Sequence, residues 1–278
     1  MGRIFQCVGR YAGTAYTIKN TYIRVYCVEE LCYYICNNAY LLDESFACPE
    51  LADWLEEECS LPDLAGRLRE RLRSGDRLEG FAEEILSSTN YVTSEESGDI
   101  RRVIVATRHT SKAQKEYVLA EHFLKNHRYA LAFKSYQHLL NEFSEALTLE
   151  TRARIYYHLG VVYSGMFCFE QADSYFEKAF SMVDLDEYRY ASYVAKKMYL
   201  TEKEYRKYRM ITQDFAYISD QVEKDMETAE NEWLVSEEYR RMRRLQGLMD
   251  QGNIDEYELG MDAETEYIKE TYRNCMSE

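Results

Sequence analysis

The chain has 278 residues, of which 46% are hydrophobic and 30% charged, a balance typical of a folded protein with room for roughly two domains. Its net charge of −15 disfavours nucleic acid and anionic membranes as partners, because an acidic surface repels phosphate groups. Only two prolines and 12 glycines interrupt the sequence, which predicts an all-α protein with long helices and few tight turns.

The eight cysteines are predicted to be free thiols of a cytoplasmic protein. The first ten residues lack the continuous apolar core of a signal peptide, and the cysteine spacing does not fit a compact secreted disulfide framework. No apolar run approaches the ~18 residues that a membrane-spanning helix requires, so no contact with membrane is predicted.

Residues 1–90 are predicted to form a mainly helical N-terminal domain. Residues 1–27 alternate weakly between apolar and polar side chains, which suits either a short β-hairpin or an irregular arm. Helical spacing of apolar residues then predicts helices from Val28, over 49–59, from an N-cap at Ser60 to Arg73, and through Leu86. Residues 91–112, rich in Ser, Thr and Glu, are predicted to be a linker.

The C-terminal part is predicted to hold two long helices. A stripe at three- and four-residue spacing from Tyr208 to Trp233 predicts one helix over 201–249, and a second stripe runs from Ile254 to Tyr272. Gln251-Gly252-Asn253 separates the two stripes. Residues 211–278 are therefore predicted to form a long helix and a C-terminal helix, paired as a capping hairpin.

A motif within residues 113–210 carries the most information. Tyr156-x2-Leu159-Gly160-x2-Tyr163, followed by Ala172-x3-Phe176, resembles the tetratricopeptide pattern W-x2-L-G-x2-Y and A-x3-F, with tyrosine in place of tryptophan. Gly160 and Ala172 have little or no side chain, so two helices can approach closely there. Leu159, Tyr163 and Phe176 are expected to fill the space around the contact.

A second copy of the motif lies upstream, at Leu119-Ala120-x2-Phe123 followed by Tyr129, Ala132 and Tyr136. Its small residues Ala120 and Ala132 recur 40 residues later as Gly160 and Ala172, whereas the family period is about 34. The excess is expected to lengthen the second helix as far as Leu147. A degraded third copy is predicted near Tyr190.

The resemblance implies a tetratricopeptide-like α-α superhelix whose concave face binds an extended peptide or a partner helix. The predicted partner-binding residues lie one position from the buried stripes: Gln114, Tyr117, Glu121, Arg154, Tyr157, His158, Arg189, Tyr193 and Lys196. Tyrosines beside Arg and Lys suit an acidic or aromatic peptide. Residues 111–200 carry no net charge, with 11 basic and 11 acidic residues, whereas the segments on either side are acidic. Tyr117 and Glu121 stand where the family's chaperone-tail clamp has Lys and Asn, which disfavours a chaperone tail as the ligand.

No catalytic residue, cofactor or metal is predicted. Cys27, Cys32 and Cys36 fall near one helical face, but no C-x2-C pair or nearby histidine accompanies them. The chain has no H-E-x-x-H motif, no glycine-rich phosphate loop and no G-x-S-x-G turn.

The favoured function is therefore a protein–protein interaction scaffold or adaptor. A peptide-responsive regulatory sensor or a secretion chaperone is the first alternative, and an enzyme with an unrecognised site in the N-terminal domain is the second. The oligomeric state is left open, a homodimer being one of the options.

Overall fold

A computed structural model describes residues 7–75, 78–89, 91–212 and 215–276, with the backbone alone for 274–276. The regular elements of the described residues are helices apart from one two-stranded hairpin, so the all-α prediction is confirmed. The chain divides into two compact units: unit 1 is Met1–Leu119, and unit 2 is Ala120–Glu278.

Unit 1 begins with an antiparallel hairpin in which Tyr16 pairs with Val25. Its described elements are β1 (Tyr16–Thr17), β2 (Arg24–Val25), α1 (Val28–Asn38), a 3-10 turn (Ala39–Leu41), α2 (Pro49–Glu57), α3 (Pro62–Arg73), α4 (Leu78–Ser88) and α5 (Ser94–Arg108). Of the two structures considered for 1–27, the hairpin is the one present. Residues 1–6 of that range lie outside the described residues.

The N-terminal arm is attached to the end of α2. The Glu58 carboxylate accepts the backbone N–H groups of Gly13 and Thr14 at 3.0 and 3.1 Å, and the Trp54 indole donates to the Thr14 carbonyl at 2.8 Å. One hydrophobic core then joins the hairpin to the helices of this unit. Ser60 does not cap α3: it has φ 57°, and Leu61 is the N-cap, with Pro62 as the first helical residue.

The segment predicted as a linker, 91–112, instead contains the whole of α5. Thr93 begins this helix with a capping box: its hydroxyl accepts the Glu96 N–H, and the Glu96 carboxylate accepts the Thr93 N–H. Ile104 is buried in the core of unit 1. The Ser, Thr and Glu residues that suggested a linker are the polar cap and exposed face of a helix.

Unit 2 is a succession of helices. Helix α6 (Lys112–Lys125) crosses the boundary between the units, and the elements that follow are α7 (Tyr129–Glu142), a 3-10 turn (Ser144–Ala146), α8 (Leu149–Gly165), α9 (Phe169–Met182), α10 (Asp186–Tyr199), α11 (Glu202–Ile211), α12 (Ala216–Val235), α13 (Glu237–Asp250) and α14 (Ile254–Met276). Helix α9 packs against both α8 and α10.

The single helix predicted over 201–249 is divided into α11, α12 and α13. Helix α11 ends at Ile211, and Ser236 ends α12 and caps α13 by accepting the Tyr239 N–H at 3.1 Å. A serine or threonine at such a position satisfies the first N–H groups of a new helix, which favours a restart. The apolar stripe from Tyr208 to Trp233 spans the interval between α11 and α12, which is why the sequence indicated one helix there.

Candidate partner-binding face on the repeated helix pairs

The turn between α6 and α7 recurs, 40 residues later, between α8 and α9. His127 and Phe167 have left-handed φ values of 57° and 60°. The next residue in each turn, Arg128 or Cys168, donates its backbone N–H to the carbonyl of Phe123 or Tyr163, at 2.9 Å in both cases. Helices α7 and α9 also have the same length, 14 residues. The repeat seen in the sequence is therefore a repeat of backbone geometry.

The four small residues of the repeat are buried, and Gly160 explains why one of them is glycine. Ala120, Ala132 and Ala172 are fully buried. A Cβ atom on Gly160 would lie 2.4 Å from Cε1 of Phe176, closer than two carbon atoms can approach. Helices α8 and α9 thus meet at a point where only hydrogen fits.

The extra residues between the two copies do not lengthen the second helix to Leu147. Helix α7 ends at Glu142, and the 3-10 turn at 144–146 follows it. The Arg152 guanidinium donates to the Ser144 carbonyl at 2.7 Å, and Thr148 caps α8 by accepting the Thr151 N–H at 3.2 Å. Phe143 and Leu147, which were expected to extend α7, lie in the connection between α7 and α8.

The three predicted partner-binding residues of α8 differ in their exposure to solvent. Arg154 is exposed, whereas Tyr157 and His158 are half-buried. The Tyr157 ring packs 5.5 Å from Phe176 and 5.0 Å from Tyr188, and burial raises the pKa of its hydroxyl to about 12. Tyr157 therefore connects α8 with both α9 and α10.

His158 is held in its neutral form. Its Nδ1 lies 2.8 Å from the hydroxyl of Tyr136 on α7. Burial, helped by the nearby Arg154 charge, lowers the pKa of His158 to about 4. The imidazole is thus a neutral hydrogen-bonding group between α7 and α8.

Lys196 does not face a partner, contrary to the prediction. Its Nζ donates to Asp173 Oδ1 at 2.6 Å and to Glu177 Oε1 at 2.7 Å, and the Lys196 and Asp173 side chains are each only 7% exposed. Asp173 also accepts hydrogen bonds from Ser192 and Tyr199, at 2.6 and 3.0 Å. Because a buried charge needs a partner, the ammonium group lies between α9 and α10 rather than in solvent.

Tyr193 and Arg189 also point into the protein. Tyr193 belongs to a core cluster with residues of α11 and α12, and its hydroxyl donates to Thr212 at 2.6 Å. The Arg189 guanidinium carbon lies 3.7 Å from the ring centre of Phe180 and 3.0 Å from that of Phe215. Helix α10 has neighbours on two sides, so the stripe 189–193–196 that was predicted to face a partner is an internal one.

A different stripe of α10 lies at the surface. It is formed by Glu187, Ala191, Val194 and Met198, at helical spacing, with Glu187 and Met198 exposed and the other two half-buried. Ala191 packs against the same hydrophobic cluster as Tyr157 and Val161 of α8. We call these seven residues the α8–α10 face: Arg154, Tyr157, Val161, Glu187, Ala191, Val194 and Met198.

The predicted residues of α6 lie on both sides of the boundary between the units. Gln114, exposed, and Tyr117, half-buried, belong to unit 1, and Glu121, half-buried, belongs to unit 2. The α8–α10 face includes none of them.

The cysteines of α1 are thiols rather than thiolates, Cys32 being buried and Cys36 half-buried. Burial raises the pKa of Cys32 to about 12 and that of Cys36 to about 11, and Cys32 Sγ lies 3.3 Å from the Thr89 hydroxyl. Across the part of the chain that the structure describes, no group of three or more His, Cys, Asp or Glu residues could hold a metal ion. None of the described helices has the length and apolarity needed to cross a bilayer.

Comparison with protein-family models, with curated proteins and with solved structures gave no match for this chain. The helix pairs and the α8–α10 face are therefore interpreted from their own geometry.

Proposed function

We propose that this protein is an adaptor that binds a partner polypeptide on the α8–α10 face. The observation that carries the proposal is a strip of half-buried apolar side chains, Tyr157, Val161 and Ala191, which pack on one hydrophobic cluster across α8 and α10. The surface stripe of α10 continues from Ala191 to the exposed Met198. A partner side chain placed there would gain apolar contact without any rearrangement of the core.

The repeated geometry of the helix pairs supports the same proposal. Tetratricopeptide-like hairpins present the first helix of each pair to a ligand, and α8 and α10 are the first helices of successive pairs under that resemblance. The turns that repeat at His127 and Phe167, with the contact at Gly160, are what such stacking needs.

The charges favour a partner segment that is mainly apolar or aromatic. The ammonium of Lys196 is compensated by Asp173 and Glu177, so the face keeps one positive and one negative side chain, Arg154 and Glu187. A preference for strongly acidic peptides is correspondingly weaker than the sequence suggested. Opposite charges on the two helices would select the direction in which a peptide lies.

Selection of peptides from a displayed library against the purified chain tests the proposal. Met198→Glu and Arg154→Glu should each weaken the binding of a selected peptide by about tenfold, the effect of a well-placed interface residue. Met210→Glu and Lys203→Glu are the matched controls, because both residues are exposed on α11 and undergo the same changes of charge. Equal loss in all four variants, or in none, contradicts binding at this face.

The cellular location is also part of the proposal. The described cysteines are free thiols, and three of them, Cys32, Cys48 and Cys59, are buried. Free thiols suit a reducing compartment, so we place the adaptor in the cytoplasm.

A further inference from the structure

Helices α13 and α14 form an antiparallel hairpin with a definite register. Leu245 lies against Gly260, where a Cβ atom would come within 2.3 Å of Leu245 Cδ2. The Arg241 guanidinium donates to the Glu264 carboxylate at 2.8 Å. One step back along α13 is therefore matched by one step forward along α14, and the absence of a side chain at Gly260 lets the two helices approach closely.

An open groove of about 520 Å³ runs along one side of this hairpin, and we call it the α13–α14 groove. Its floor is apolar and is formed by Leu245 and Leu248 of α13 with Leu259 and Ala263 of α14. Leu259 is 74% exposed and Ala263 is also exposed, so a partner could cover them without displacing any part of the chain.

The length and direction of the groove suit a short helix. The groove extends along α13 from Arg241 to Leu248, about 10 Å or two helical turns. Its lining residues recur every three or four positions on both helices, so it runs parallel to the helix axes. A third helix laid along it would pack its own apolar stripe between α13 and α14 and complete a three-helix bundle.

The two edges of the groove carry opposite charges that the hairpin leaves unpaired. Arg244 on the α13 edge and Glu256 on the α14 edge are both exposed, and neither forms an ion pair with another described residue. Arg241 and Glu264 also line the groove, but they are paired with each other. A partner with charges of one sign would be attracted by one edge and repelled by the other.

We infer that the α13–α14 groove binds a short amphipathic helix of a second protein, whose apolar stripe has an acidic side chain on one flank and a basic side chain on the other. The apolar stripe covers Leu245, Leu248 and Leu259. The acidic side chain pairs with Arg244 and the basic one with Glu256, which sets the direction of the bound helix. The groove shares no residue with the α8–α10 face, so it gives the chain a second place to hold a protein.

Three synthetic helical peptides of about 14 residues, with the same leucine stripe, serve as probes. The mixed peptide has glutamate on one flank of the stripe and lysine on the other, and the other two peptides have only glutamate or only lysine on both flanks. Fluorescence anisotropy of the labelled peptides, titrated with the full chain at about 0.15 M salt, measures each dissociation constant. The wild type should bind the mixed peptide about fivefold more tightly than either of the others.

Reversing one edge charge should change which peptide is preferred. Arg244→Glu makes both edges acidic, so the lysine peptide should then bind most tightly. Glu256→Lys makes both edges basic, so the glutamate peptide should. Arg243→Glu and Glu258→Lys are the matched controls: both residues are exposed on the same two helices but lie outside the groove, so the mixed peptide should remain preferred.

The apolar floor is tested separately from the charges. Leu259→Glu should weaken the binding of all three peptides about tenfold. Met198→Glu alters the α8–α10 face and should leave the binding of these peptides unchanged, so this inference can fail without the proposed adaptor function failing, and the reverse. Circular dichroism with a thermal melt verifies that each variant is folded.

Four outcomes overturn the inference. The first is a wild type that binds none of the peptides. The second is a wild type that prefers the lysine peptide, because the net charge of −15 would then be the attraction. The third is an unchanged preference in Arg244→Glu. The fourth is a dimer of the chain alone, seen by sedimentation equilibrium and abolished by Leu259→Glu, which would assign the groove to a second copy.

Discussion

Gly160 is a residue at which the two helices of a pair pack closely together. Its α carbon faces the ring of Phe176, and the ring itself is buried, so it has little room to move away from an added methyl group. Overpacking at such a point strains the core even though alanine favours helix more than glycine does.

Gly160→Ala should therefore lower the free energy of unfolding by about 1–2 kcal/mol, measured by urea denaturation. Gly247→Ala is the matched control: it makes the same change inside α13, where an added Cβ meets nothing within 4 Å. The control should be stabilised by about 0.5–1 kcal/mol, because only the helix preference of alanine operates there. Stabilisation at both positions would contradict a close contact at Gly160.

His158 links stability to pH. Its pKa is about 4 in the folded chain because of burial and the Arg154 charge, and histidine in an unfolded chain titrates near 6.5. Because folding lowers the pKa of His158, the neutral imidazole contributes fully to the free energy of unfolding at pH values above the pKa of histidine in the unfolded chain. The contribution is then lost as pH falls from about 6.5 towards 4.

When the pH falls from 7 to 4, the free energy of unfolding of the wild type should decrease by about 3 kcal/mol more than that of His158→Asn. Denaturant titrations at a series of pH values measure the difference. Tyr136→Phe removes the hydroxyl but leaves the imidazole buried, so it should keep most of the wild-type dependence. A variant His158→Asn with an unaltered pH profile would show that His158 is not buried in neutral form.

Lys196 illustrates which site residues a sequence can indicate. Arg154 and Tyr157 could be placed because their own helix supplies the pattern. Lys196 could not, because its position depends on Asp173, a residue of another helix 23 positions away. The exposed stripe of α10 was missed for the same reason: no local signal shows that α10 is packed on two sides.

At the level of whole helices, α5 depends on its cap more than on its burial. Ile104 is the one buried residue within this 15-residue helix, so packing alone holds it weakly. The signal was present in the sequence as Thr93-x-x-Glu96 followed by Ile100 and Ile104. The segment was predicted to be a linker because it is rich in Ser and Glu. Composition alone does not show that Thr93 and Glu96 form the hydrogen bonds that cap a helix.

Thr93→Ala should reduce the protection of the α5 amides against hydrogen exchange by about 1 kcal/mol, the usual contribution of an N-cap. Ser94→Ala changes the next residue, which makes no capping bond, and should leave that protection unaltered. If the two variants behave alike, Thr93 does not nucleate the helix.

At the scale of the whole molecule, the two compact units do not end where the sequence indicated a linker. The sequence placed the boundary in residues 91–112, whereas the compact units meet within α6, at Leu119. Hydrophobic spacing reports that a helix exists, but not which neighbours it packs on. The repeat over 113–182 was recognisable because small side chains at a fixed interval leave a signal that local sequence retains.

Expressed alone, residues 112–278 should form a helical, cooperatively melting fragment, because this range keeps α6 whole and includes all of unit 2. Residues 1–111 should likewise retain helix. The summed circular dichroism of the two fragments should reproduce that of the intact chain. Loss of helix in the 112–278 fragment would mean that unit 2 depends on unit 1 for folding.

The matching turns at His127 and Phe167 have a consequence for how this chain can change in length. A duplicate of residues 129–168 inserted after Cys168 would be joined at both ends by a turn that the protein already contains, since Arg128 and Cys168 occupy the same place in it. Unequal recombination between the two coding segments would make such an insertion, or the reverse deletion, in one event. Chains longer or shorter by 40 residues are thus the simplest variants that natural or laboratory evolution of this molecule could reach.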